Sequence, residues 1–102
     1  MVDIDKKRYL LAFLDKNTGK YSDFDCIASD PDDAINIVMQ DFFDIDDGTN
    51  LYFDGDNITI DYSDPVDFPS LHMKLLKIQE FDMDNIKALW ATRNRWHEDF
   101  KG

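Results

Sequence analysis

Apolar residues recur along this chain in two rhythms, and the switches between alternation and helical spacing mark out its elements. Arg8–Asp15 is apolar on both alternating faces, with Tyr9, Leu11 and Phe13 set against Leu10, Ala12 and Leu14. That predicts a central strand covered on both sides. Asn17-Thr18-Gly19 predicts a turn with Gly19 supplying positive φ. A second strand is expected over Tyr21–Ala28, with Phe24, Cys26 and Ala28 on one face and Asp23 and Asp25 on the other.

Helical spacing follows. Asp30 is placed as an N-cap, Pro31 as the first helical residue, and Asp32 and Asp33 in the first turn. Ile35, Val38, Met39 and Phe42 form the expected buried stripe. Asp44–Asn50 reads as a loop. Leu51-Tyr52-Phe53, an Asp54-Gly55 turn and the alternating Ile58–Tyr62 predict a second hairpin. Ser63–Ser70 holds two prolines and reads as a loop. Leu71–Phe81 fits a fifth strand by alternation, although Leu71, Leu75 and Ile78 also fit a helix. A last helix is expected from an Asp82 cap, stapled by Phe81 and Ile86, with Leu89, Trp90, Arg93, Trp96 or His97, and Phe100 along one stripe. The order is ββαβββα, an α+β antiparallel sheet of about five strands with two helices packed on one face.

At 102 residues, 43% of them hydrophobic, the chain makes one domain (residues 1–102) with a core that needs neither metal nor disulfide. Met1–Lys7 reads as a flexible polar leader. The single Cys26, no secretion signal and no apolar run long enough for a membrane span point to a cytoplasmic protein of a bacterial or phage-infected cell.

Charge changes the picture. Of 22 acids, 20 are Asp, and the net charge is −11. Between Tyr21 and Met73 stand fourteen Asp and no Lys or Arg, so that stretch carries −14 and the remainder +3. Asp41, Asp44, Asp46 and Asp47 crowd the end of the first helix, where the dipole disfavours anions by about 0.3–1 kcal/mol each. Asp23, Asp25 and Asp61 lie on strands, although Asp is a poor strand former. Only Asp23, with Lys20 at i−3, has a basic neighbour at i±3 or i±4 among the fourteen. A charge run is usually a solvated face. Solubility at this size, however, needs a net charge of only about 2–8 in magnitude.

Catalytic motifs are lacking. Cys26 alternates with core residues, and His72 and His97 have no metal-ligand spacing. A calcium loop starting at Asp44 would put Thr49 where Gly is required and Gly55 where Glu is required; one starting at Asp15 fails likewise. No phosphate loop or dinucleotide fingerprint is present, so no cofactor, metal or enzymatic activity is expected. A protein of −11 repels nucleic acid directly.

The pattern therefore points to a basic protein as partner. Alternate strand residues lie about 6.6–6.8 Å apart on one face, within about twofold of the ~3.4 Å phosphate spacing of one DNA strand. The candidate partner-binding acids are Asp41, Asp44, Asp46, Asp47, Asp54, Asp56, Asp61, Asp64 and Asp67. Aromatic anchors such as Phe43, Tyr52, Tyr62 or Phe68 stand among them. In size and acidity the chain resembles small phage proteins that block bacterial defence nucleases, such as anti-CRISPR proteins. That resemblance implies an inhibitor occupying the nucleic-acid surface of a nuclease. An immunity protein against one nuclease toxin, and an acidic binding or structural module, are the alternatives.

Overall fold

The computed structural model describes residues 6–101. Seven elements follow in the order β1 (Lys7–Asp15), β2 (Tyr21–Ala28), α1 (Pro31–Phe42), β3 (Asn50–Asp54), β4 (Asn57–Asp61), β5 (Leu71–Phe81) and α2 (Ile86–Lys101). The fold is α+β, a five-stranded antiparallel sheet with strand order β2-β1-β5-β4-β3. Residues 71–81 are strand, pairing with both β1 and β4. Most of the expected leader lies outside the described residues, and Lys7 already belongs to β1.

The helices cover opposite faces of the sheet, not one face as expected. Tyr9, Leu11 and Phe13 of β1 pack with Ala34, Val38 and Met39 of α1, and with Ile58, Ile60 and Met73. Leu10 and Ala12, pointing the other way, pack with Phe81 and with Leu89 and Trp96 of α2. The reason is the two-sided apolar pattern of β1. A single helical layer would leave Leu10 and Ala12 in water, and fully burying a side chain of the Leu class is worth about 1.5–3 kcal/mol.

The start of α1 is as the sequence predicts: Asp30 Oδ1 accepts the Asp33 amide at 2.8 Å, with Pro31 opening the helix. Helix α2 begins later than expected. Residues 82–85 form a turn, and Asn85 does the capping, accepting the Leu89 amide on its carbonyl and the Ala88 amide on its side chain. Ile86 is exposed there and staples nothing to the core.

Helix α2 is fastened to the sheet by charge as well as by apolar contact. Arg93 Nε lies 2.9 Å from Asp23 Oδ1, His97 Nε2 lies 2.7 Å from Asp23 Oδ2, and Arg93 and Arg8 both reach Asp25. Asp23 and Asp25 are thus neutralised by tertiary contacts with Arg93 and Arg8. They belong to the scaffold.

Candidate functional site

Where α1 ends, two loops meet and enclose the site. Helix α1 closes with Phe43, whose amide donates to Met39 O at 3.2 Å, and Asp44 follows in the left-handed region at φ 53°. Gly is the usual residue for that step, since a left-handed L-residue costs about 1–2 kcal/mol. Here it is an acid, beside a helix C-terminus whose last turn has no basic residue.

Asp46 organises the loop that follows. Its carboxylate accepts the Gly48 amide at 3.1 Å and the Thr49 hydroxyl at 2.7 Å, and Ser63 Oγ of the opposite loop donates to it at 3.1 Å. These hydrogen bonds, Thr49 and Ser63 first, hold its carboxyl below the usual range for Asp. Gly48 permits the closure, because a Cβ there would come within 2.5 Å of Ser63 Cβ. In the second loop Asp64 turns the chain, its side chain accepting the Val66 and Asp67 amides and its carbonyl the Phe68 amide.

Between these loops is a cavity of about 430 Å³, lined by Asp44, Asp46, Tyr62, Ser63, Asp64, Asp67, Phe68, Pro69 and Leu71. Its volume is that of a ligand pocket. The Tyr62 ring is held in place by its hydroxyl, which donates to Phe43 O at 2.7 Å, and lies 5.8 Å from the half-exposed Phe68 ring. No ion pair among the described residues joins any of the four lining carboxylates to Lys or Arg. Nor do any three His, Cys, Asp or Glu side chains among the described residues converge as metal ligands do.

The candidate acids expected from sequence therefore divide. Asp44, Asp46, Asp64 and Asp67 come together at the cavity. Asp41 and Asp47 lie exposed in the last turn of α1 and in the loop after it. Asp54 and Asp56 flank Gly55 at the β3–β4 hairpin, where the Asp56 carbonyl accepts the Leu75 amide. Asp61 alternates with the buried Ile58 and Ile60, so it faces the other side of the sheet, and it accepts the Ser70 hydroxyl. Tyr52 pairs with Thr59 and shares that far side, remote in orientation from the cavity. Phe43 packs against Phe13 and Phe24, so it is part of the core rather than an exposed anchor. Tyr62 and Phe68 are the aromatics that meet the acids. The roles of Gly48 and Ser63 have no local signal in sequence, since each depends on the other's loop.

Cys26 sits half-buried against α1. Its thiol donates to Ala34 O at 3.7 Å, and burial, with Asp25, Asp33 and Asp41 adding, pushes it up to about 11.

No protein-family model, curated protein or solved structure matches this chain. Among the described residues no helix is long and apolar enough to cross a membrane.

Proposed function

We propose that this protein is a binding protein, an acidic inhibitor that occupies the nucleic-acid surface of a basic protein such as a nuclease. The observation carrying this reading is the cavity at the end of α1. Four carboxylates and two aromatic rings surround it, and none of those carboxylates is paired with a cation among the described residues. Such a surface is costly to the fold and complementary to a positive one. Where the fold needs an acid neutralised, as at Asp23, the chain provides Arg93. At the cavity the compensating charge is left to a partner.

The test is capture of partners from bacterial lysate on the tagged protein at low and high salt, followed by competition with DNA or RNA. The expected result is recovery of a nucleic-acid-acting protein that added DNA or RNA displaces. Recovery of nothing specific at either salt overturns the reading, as does a partner whose binding DNA and RNA leave untouched.

A further inference from the structure

We propose that the cavity at the end of α1 receives an arginine side chain of the partner protein, seated on Tyr62 and Phe68 and paired with Asp44 and Asp67. This rests on the inhibitor reading and deepens it by naming what the site recognises.

The lining of the cavity combines apolar side chains, Tyr62, Phe68, Pro69 and Leu71, with carboxylates. The two parts together select the occupant. Aromatic and apolar walls suit a flat, weakly hydrated group, and the carboxylates beside them require that group to be cationic. Guanidinium is both: it stacks on aromatic faces and presents a planar fork of donors to carboxylates. The lysine ammonium is a compact, strongly hydrated charge that gains less from an aromatic wall. Tyr62 is held in place, since its hydroxyl donates to Phe43 O. Asp46 and Asp64 spend their oxygens on Gly48, Thr49, Ser63, Val66 and Asp67 within the loops. They hold the site's shape and set its potential. Asp44 and Asp67 make no side-chain hydrogen bond within the described residues that would compete with a guanidinium. Nucleic-acid enzymes hold phosphate with arginine, so an acidic inhibitor that captures one such arginine removes a phosphate contact directly.

Amide chemical shifts of the labelled protein, titrated with a short arginine-containing peptide, test this. Lysine and citrulline versions of the same peptide serve as controls. The expected shifts centre on residues 44–49 and 62–71, with the lysine peptide weaker and the citrulline peptide inactive. Phe68→Ala, a change at a half-exposed ring, is expected to weaken the arginine peptide by about two- to fivefold. Asp67→Asn, which leaves the Asp46 and Asp64 loop bonds intact, should act in the same direction. Equal binding of the lysine and arginine peptides overturns the proposal. So do shifts spread over all the acids that vanish with modest salt, and so does displacement of the peptide by calcium at the same residues. Failure here, with a DNA-displaceable partner still recovered, removes the arginine site and leaves the inhibitor reading standing. Arginine binding with no such partner does the reverse.

Discussion

Asp44 is the only non-glycine residue with positive φ among the described residues, and it carries a negative charge at a helix C-terminus. Either feature alone is unfavourable, and strain of this kind persists where something other than stability selects it. Asparagine tolerates the left-handed conformation and lacks the charge. Asp44→Asn is therefore expected to raise stability by about 0.3–1 kcal/mol in urea titrations, while weakening the basic partner. A loss of stability would mean that the carboxylate makes a stabilising contact, and the cost argued for it would be gone. Cys26 gives a second prediction at this scale. Raising its thiol from 9.0 to about 11 lowers the thiolate fraction about 100-fold near pH 8. Alkylation in native protein should accordingly be at least ~100-fold slower than in urea-unfolded protein. Equal rates would mark an activated thiol and reopen a catalytic role. The raised thiol also stabilises the fold at low pH, a contribution lost as pH rises from 9.0 through about 11.

Among the elements, α2 depends most on a single side chain. Arg93 and Asp23 have side chains only 15% and 10% exposed, so removing Arg93 leaves the buried Asp23 carboxylate with His97 alone beside it. Arg93→Ala is expected to cost about 3–5 kcal/mol. Pairing Arg93→Met with Asp23→Asn should cost clearly less, because the stranded charge is then absent. A loss below ~1 kcal/mol for Arg93→Ala would rank the contact with ordinary surface pairs. The two loops of the cavity make a second such joint. Gly48→Ala drives a Cβ into Ser63, so amide exchange should accelerate in residues 44–49 and 62–70 and stay slow in β1. Unchanged exchange in the loops would show that Ser63 gives way freely.

These elements also show which parts of the structure local sequence encodes. Both ends of β2, the Asp30-Pro31 start of α1 and the β3–β4 hairpin were readable because each is specified by neighbours in the chain. The two-sided apolar pattern of β1 called for cover on both sides, and the placement of both helices on one face failed against that same pattern. Phe81 ends β5 as read and is buried there, but its expected staple partner Ile86 is exposed, because a turn from Asp82 to Asn85 moves the cap from Asp82 to Asn85. The acids of the site were visible as a charge excess. Their division into cavity, hairpin tip and far sheet face was not, because it follows from strand parity and from an Asp46–Ser63 bond spanning 17 residues.

At the scale of the whole molecule the charge is unevenly divided along the chain. The segment from Tyr21 to Met73 carries −14 and the rest +3, and the rest spends Arg8 and Arg93 on Asp23 and Asp25. The acids around the end of α1 and the two loops are left to repel one another through solvent. Repulsion of that kind is screened over about 8–10 Å at 0.10–0.15 M salt, whereas the buried Arg93–Asp23 contact is screened much less. Sodium chloride should therefore stabilise this protein, with Tm rising between 0.02 and ~0.5 M as the Debye length contracts. Replacing Asp41, Asp44, Asp47 and Asp67 by Asn takes the net charge from −11 to −7 and leaves the loop-holding Asp46 and Asp64 in place. The variant should be more stable at low salt and respond less to added salt. If wild type and variant respond alike, the acids are balanced within the fold, and no surplus field remains to draw in a basic partner. If the responses separate as expected, these acids carry a self-repulsion in the isolated protein that a positive surface would relieve on docking.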